Sequence, residues 1–590
     1  MDTSPQPRYD VLRHDEFGRS VAPVLAAAVA QRLVGSDETP AAEFIDLDGL
    51  EAQLRRCSEA FSSTEACSVL NAYAIKANPL AAVLQIVREA GQRLHLCSNL
   101  RFPPPSSLFC ELAVKQHLTH ILRASFSHIL ISPGFGAECA SPEEVAHTLA
   151  LGFPPELIVY DSPCKTVSDL RRVLTNGCHV NLDSEAEVVK VERLIAEDRA
   201  VAAAVAAAGD SSNGGTGSRA AVGLRINPAV GPGAIAETST ATRESKFGAA
   251  LGPATEERLL CLFERCPWLS GVHCHVGSQG CAPALLVAGA VAAVRFAEAV
   301  NSHVGRRQVT WIDVGGGLSL DYAAPAAAAG ACSGGVDFAG YAAALRAAAP
   351  ALFTGGYRVL TEFGRSIVTA AGFTASVVES CKDCGGTATA VVHVGANLFV
   401  REAYCPGRWF HRLTVHCPDG NVKCTGAMGA AAAAATTGAK DEATASCSNG
   451  DCSKQCSCGG GGEGCDGCNS TCSENDYGGG VGLVPQTVAG PLCFSGDVLA
   501  RRLPLPRIEE RDWVVIHDTG GYTSAMYSMY NSRTPPLVLG YRRTRRRQQQ
   551  WLDSGEPDGD EEAEAEAEPL GFAFQVLKQQ TAEQTLAFWS

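Results

Sequence analysis

The chain has 590 residues, 46% of them hydrophobic and 19% charged, with a formal net charge of −15, long enough for two or more domains with a substantial core. That acidity leaves no basic footprint for nucleic acid, and no uninterrupted apolar run reaches the roughly 18 residues of a membrane span. The nearest, "LLVAGAVAAV" at 285–294, runs into Arg295, so a soluble protein with a small-molecule partner, and neither nucleic acid nor membrane, is expected.

The first stretch, "MDTSPQPRYDVLRHDEFGRS", lacks an apolar signal core and carries Asp2, Asp10, Asp15 and Glu16, unlike an acid-poor transit peptide. A cytoplasmic location is the expectation, with a plastid left open. Residues 1–44 precede the first strand–helix unit and are expected to pack with a later β-domain. Between about residues 45 and 366, strand-like runs alternate with amphipathic helical stretches: "VLNAYAIKA", "LIVYDSP", "HVNLDSEAE", "AVGLRINP", "LSGVHCHVGS", "VTWIDVGGG" and "YRVLTEFGRS". Units of this kind, each ending in a polar cluster, predict an α/β protein with a parallel (β/α)8 barrel. An open doubly wound sheet competes; the barrel is preferred because the polar clusters recur at nearly every strand end.

Beyond residue 367 the texture turns to β-branched runs such as "IVTAAGFTASVVES" and "RDWVVIHDTG", predicting a second, mostly antiparallel β-domain over 367–590. Three segments read as insertions. Residues 92–133 interrupt a helix-then-strand step, and two readings stay open for them: an ordered excursion, or a stretch absent from the mature protein. Residues 424–480 are rich in Ala, Gly and Cys, and 542–568 pass from "RRTRRRQQQ" to "DGDEEAEAEAE"; both are expected to be disordered. The Cys465–Cys468 pair could bind a metal, but a linker is the preferred reading and no metal is expected. With no secretory signal, the 25 cysteines are expected to be reduced thiols.

Four stretches carry chemistry. In "NAYAIKANPL", residues 71–80, Lys76 stands alone in a run that reads as a buried strand, and a lysine is almost never fully buried without a partner. In "VGGGL", Gly315, Gly316 and Gly317 follow a strand and Asp313, and would let backbone amides approach a phosphate; a plain turn is the bland alternative. "TEFGRS", 361–366, is either a simple Glu362–Arg365 ion pair or a further phosphate contact through Gly364 and Arg365 with one carboxylate in the barrel mouth. "GVHCHVGSQG", 271–280, sets His273 and His275 on one face; His273 reads as structural, and no third zinc ligand lies at ordinary spacing. Stacking of His275 on a flat ring, with Ser278 on a phosphate, suits the set better.

In this order, "YAIKAN", "GAECASPEEV", "RINP", "SKFG", "HCHVGSQ", "DVGGGL", "EFGR", "GPLCFSGD" and "GGYTSAMYSMYN" resemble the fold-type III pyridoxal-phosphate decarboxylases: the diaminopimelate, ornithine and arginine enzymes, with the diaminopimelate-like members nearest. The resemblance implies an alanine-racemase-like barrel plus a β-domain in a homodimer that shares its active sites. It implies Lys76 as the Schiff-base residue, Glu362 beside the ring nitrogen of pyridoxal 5'-phosphate, and His275 against the ring face. Ser278, Gly315, Gly316, Gly317, Gly364, Arg365 and Tyr522 would hold the phosphate, and Cys493, supplied across the dimer, would return a proton to the substrate. Arg401, Tyr404 and Arg243 are substrate-binding candidates, and Arg225 a further one for the carboxylate. Phe494 stands where an acidic residue grips the distal amine in the diaminopimelate and ornithine enzymes, Phe363 where a proline is usual, and Glu138 where the ornithine enzymes have Asp. The expected activity is decarboxylation of a basic or diamino acid. A racemase, or an inactive homologue that regulates a decarboxylase, is the alternative.

Overall fold

The computed structural model describes residues 14–62, 67–97, 135–209, 220–322, 337–405, 409, 411–425, 483–544 and 571–590. Apart from their edges, the three expected insertions fall outside these residues, and so does the Cys465–Cys468 pair.

Helix His14–Ala30 leads into strand β1 (Ala41–Asp46). The chain then passes through β2 (Val69–Ala74), β3 (Gly136–Cys139), β4 (Ile158–Asp161), β5 (His179–Leu182), β6 (Val222–Asn227), β7 (Ala249–Ala250), β8 (Leu269–His273), β9 (Trp311–Asp313) and β10 (Arg358–Thr361). Strands β2, β3, β4, β5, β6, β8, β9 and β10 pair in parallel in that order, and β10 returns to β2 to close a barrel. Helices cover its outside, so β3, β4, β5 and β6 are buried along their whole length; this is why these strands read as apolar runs and not as clean alternations.

The barrel interior is layered. Leu70, Ala72, Val159, Trp311 and Leu360 form an apolar cluster of their own, and the Trp311 ring lies where any Cβ on Gly271 would come within 2.1 Å of it, or on Gly223 within 2.6 Å. Two residues further along each strand, on the same face, the side chains turn polar: Glu138 follows Gly136, Asp161 follows Val159, Arg225 follows Gly223, His273 follows Gly271, Asp313 follows Trp311 and Glu362 follows Leu360. An apolar plug thus carries a charged layer at the strands' C-terminal ends, where barrels of this class build their sites.

Between β8 and β9, helix Pro283–His303 is long and apolar enough to suit a membrane, with a mean hydropathy of 1.7. Its Leu286, Gly289, Ala290, Ala293, Phe296, Ala297 and Val300 are buried, and Gly289 packs against Val276 and Cys274, so the apolar face covers the barrel.

The second sheet holds β1 together with β11 (Gly372–Asp383), β12 (Ala388–Val392), β13 (Leu413–His416), β14 (Val484–Ala489), β15 (Val498–Leu505), β16 (Trp513–His517), β17 (Leu537–Thr544) and β18 (Gly571–Lys578). β1 lies between β11, antiparallel, and β17, parallel, so the sheet joins segments from both ends of the chain. Most other pairings are antiparallel, β12–β14 being parallel. "IVTAAGFTASVVES" is not one strand: Arg365–Val368 and Thr369–Ala371 are helical, and β11 begins at Gly372. Past the barrel rim no neighbouring strand remains to pair with, so the backbone closes on itself, Ile367 and Val368 N donating to Gly364 O.

Candidate active site

Strand β2 also ends earlier than its apolar run suggests. Ile75–Ala77 form a 3-10 turn, which lifts Lys76 out of the strand and into the barrel mouth, its side chain 38% exposed. The turn is clamped from the β-domain: Tyr522 N donates to Ala77 O at 2.8 Å, and Asn78 Nδ2 donates to Gly520 O at 2.8 Å. Lys76 Nζ meets both oxygens of the fully buried Glu138, at 2.6 and 2.5 Å. Burial opposes the ammonium, but the Glu138 and Glu362 carboxylates outweigh it and hold the Lys76 pKa above the ordinary lysine value. Burial pushes the Glu138 carboxyl up against the pull of Lys76; two short charge-assisted bonds keep the pair ionised.

Beneath lies the charged layer. Arg225 Nη1 donates to Asp161 Oδ2 at 3.1 Å and stands 3.8 Å from Asp183. It is spent on these buried partners, which corrects its candidacy for a substrate carboxylate. Burial works against the Asp161 carboxylate, yet Arg225 and His273 hold its pKa below the usual range. Asp313, fixed by Asn181 Nδ2 at 3.0 Å and Gly315 N at 2.9 Å, is pushed up to about 7 by burial and by Glu362. Glu362 Oε2 lies 3.5 Å from His273 Nε2 and 3.7 Å from His275 Nδ1, while its Oε1 is buried with no hydrogen-bond partner. Burial first, then the Glu138 and Asp161 carboxylates, raise the Glu362 pKa well above the ordinary value. A cationic N–H delivered to Oε1 would relieve both the missing bond and the crowded charge.

The wall above is built for an anion. Gly315 and Gly317 adopt φ of 69° and 100°, a region that L side chains avoid. A Cβ on Gly316 would come within 2.0 Å of Glu362 O, and one on Gly364 within 2.9 Å of the Ala77 Cβ. Gly316 N donates to His275 Nδ1 at 3.1 Å. His275 lies beyond the end of β8 at His273; the two imidazoles are not the single-strand pair that alternation suggested. Burial, then Arg225 and Lys76, drive the His275 pKa well below its usual value, so it presents a neutral flat ring. Arg365 makes no ion pair with Glu362 and instead donates to Ser278 Oγ at 3.4 Å and Tyr322 OH at 3.0 Å; its Nη2 is buried without a partner. The Arg365 guanidinium stacks on Tyr522 at 4.3 Å, and Arg401 packs on Tyr522 at 4.6 Å and Trp409 at 4.7 Å with its own Nη1 unpaired.

Lys76, Glu362, His275, Ser278, Gly315, Gly316, Gly317, Gly364, Arg365, Tyr522 and Arg401 therefore converge on one mouth. Cys493 and Phe494 lie in the loop between β14 and β15. Cys493 is exposed, its N–H donating to Asn531 Oδ1 at 2.9 Å, and Phe494 stacks on Tyr404 at 5.4 Å and 14°. Asp497 caps the same loop, accepting from Ala396 N and Leu492 N. Arg243 is exposed. Sequence reasoning passed over Asp161, Asp313 and Trp409 and treated Glu138 only as a replacement; the two-residue step from an apolar to an acidic residue in β4 and β9 was the available signal for the acids.

The family descriptions "Pyridoxal-dependent decarboxylase, pyridoxal binding domain" and "Pyridoxal-dependent decarboxylase, C-terminal sheet domain" match residues 115–369 and 471–520. The chain belongs to the fold-type III pyridoxal-phosphate decarboxylases. The first match begins C-terminal to Lys76. This decarboxylase is 24% identical to a diaminopimelate decarboxylase of Archaeoglobus fulgidus over 460 residues, 76% of this chain and 88% of that one. It is 26% identical to a chloroplastic ornithine decarboxylase of Nicotiana glauca, over 70% of this chain and 76% of that one. In fold it matches the diaminopimelate decarboxylase of M. jannaschii in complex with L-lysine at a TM-score of 0.61, 18% identity, and coverage of 95% and 94%. The decarboxylase uses pyridoxal phosphate, and the residues present suit it: an unpaired carboxylate oxygen for a ring N–H, an unpaired guanidinium N–H and a glycine-lined turn for a phosphate, and a lysine beside the carboxylate layer.

Proposed function

We propose that this decarboxylase removes the α-carboxylate of a basic or diamino acid, with Lys76 as the residue that carries pyridoxal phosphate. The observation that carries the proposal is the Lys76 amine standing over the same floor as the unpaired Glu362 Oε1. When bound, pyridoxal phosphate supplies an electron sink for the pair left at Cα as carbon dioxide departs.

Everything else falls to the chain. Glu362 would hold the ring nitrogen's proton through its unpaired Oε1, and His275, neutral, would offer its imidazole face to the cofactor. The Gly315–Gly317 turn, Ser278, Gly364, Arg365 and Tyr522 would hold the phosphate and so limit the cofactor's freedom to move. Glu138 would receive the Lys76 amine as an ammonium whenever that amine is free. Arg401, with an unpaired N–H, receives a substrate carboxylate.

Phe494 and Tyr404 form an apolar wall where an acid would grip a distal amine, so discrimination by that amine is weak. Cys493, exposed in the loop between β14 and β15, serves the site of a second copy, where it returns a proton to Cα.

The test is carbon dioxide release from meso-diaminopimelate, L- and D-lysine, L- and D-ornithine and arginine, together with borohydride trapping and peptide mass spectrometry. A pyridoxyl adduct on Lys76 and turnover of at least one diamino acid are expected. An adduct on another residue removes Lys76 from its role, and no turnover across the panel removes the substrate class.

A further inference from the structure

On the outer wall of the barrel, Cys261 and Glu264 stand three residues apart on helix Glu256–Arg265, and so share one face. His303 closes the neighbouring helix Pro283–His303. One ligand atom from each of the three lies within 4.8 Å of the others, and all three residues are exposed. His303 Nε2 is 3.3 Å from Glu264 Oε2. We propose that Cys261, Glu264 and His303 form a zinc site that ties these two helices together.

The donor set selects the ion. A thiolate, an imidazole and a carboxylate are the groups that zinc takes, whereas calcium and magnesium take oxygen. With zinc–ligand bonds of about 2.0–2.3 Å, tetrahedral ligand atoms stand roughly 3–4 Å apart, so the existing spacing closes by side-chain rotation with the helices left in place. Three protein ligands leave the fourth position to water. The surrounding arginines are already engaged: Arg258 with Glu185, Arg265 with Glu192 and Arg295 with Glu256. Glu264 is thus left with His303 as its partner among the described residues. Glu264 lies in the last turn of its helix and His303 ends the other, so the carbonyl ends of both helix dipoles favour a cation here.

The site stands apart from the chemistry. The shorter helix passes through Cys266 directly into the start of β8, Leu269 N donating to Cys266 O. The three residues therefore lie toward the end of the barrel where strands begin, whereas Lys76 follows a strand's end.

The test uses the full-length holoenzyme, freed of metal with a chelator and treated with iodoacetamide in the presence or absence of Zn2+ in excess over the 25 cysteines. Peptide mass spectrometry reads alkylation at Cys261 separately from every other thiol. Zn2+ is expected to slow Cys261 alkylation roughly tenfold or more, because a metal-bound thiolate is no longer a free nucleophile, and Mg2+ to leave it unchanged. His303→Ala should abolish the protection while carbon dioxide release stays at the wild-type rate. Unchanged alkylation with Zn2+ overturns the site. Equal protection in His303→Ala and Glu264→Gln does so too, since the thiol would then be acting alone.

Discussion

At the scale of single residues, the site places one lysine among several carboxylates, and the balance among them is what mutation should expose. Glu362→Gln keeps the shape of the floor but cannot hold a proton on a ring nitrogen. Its kcat should fall by about 100-fold, the order of one preorganised electrostatic contact, with the cofactor's visible absorbance retained; loss of bound cofactor in step with kcat would make Glu362 a binding residue instead. Glu138→Gln tests the partner of Lys76. Because the Glu138 carboxylate holds the Lys76 pKa up against burial, its removal should let the amine lose its proton at lower pH. Labelling of Lys76 in cofactor-free enzyme, followed from pH 6 to 10, should then run faster at each pH than in the wild type, whose amine stays protonated across that range. An unchanged labelling rate would mean that Glu138 is not what keeps the ammonium charged.

At the scale of elements, β1 shows how an N-terminal strand is bound into a sheet made mostly of C-terminal ones. Its Glu43 is buried and accepts a hydrogen bond from Ser524 Oγ. Burial pushes the Glu43 pKa up from 4.5 to about 7, despite that bond. A raised folded-state pKa means that the folded chain binds the proton more tightly, so its stabilising effect is complete below pH 4.5 and is lost as pH rises through 7. The size is about 3 kcal/mol at one pKa unit per 1.36 kcal/mol. In urea unfolding, Glu43→Gln should therefore gain on the wild type between pH 5 and pH 8; a constant difference across that range would show that Glu43 does not titrate there. Barrel elements were readable from sequence wherever an apolar run met a polar cluster. Strand ends were not: the turn that follows β2 is held at Ala77 O by Tyr522 N, far along the chain, and no local pattern encodes that contact.

At the scale of the whole molecule, the loop Thr519–Tyr522 links the two sheets. Gly520 packs so closely that a Cβ would fall within 2.1 Å of Val368 O, and its own carbonyl holds Asn78 beside Lys76. The β-domain therefore shapes the lysine turn directly. The exposed Cys493 adds a prediction about assembly. If two copies share sites, mixing Lys76→Ala with Cys493→Ala protein under subunit exchange should restore roughly a quarter of wild-type carbon dioxide release, since half the dimers are mixed and each has one complete site. Sedimentation should show a dimer in the same samples. No recovery in a mixture that exchanges subunits would place Cys493 and Lys76 in the same protomer's site, and full activity of Cys493→Ala by itself would place Cys493 outside any.

The sequence alone determined the strand–helix alternation, the glycine turn at 315–317, the solitary lysine and the order of motifs, because each is written in contiguous residues and in the allowed geometry of the backbone. The tertiary structure decided the rest: that Arg225 is consumed by Asp161 and Asp183, that Glu138 grips Lys76, that Arg365 turns from Glu362 to Ser278 and Tyr322, and that Cys261, Glu264 and His303 come together. Charge pairing acts through space over a few ångströms, and only barrel closure brings residues this distant in sequence within its reach.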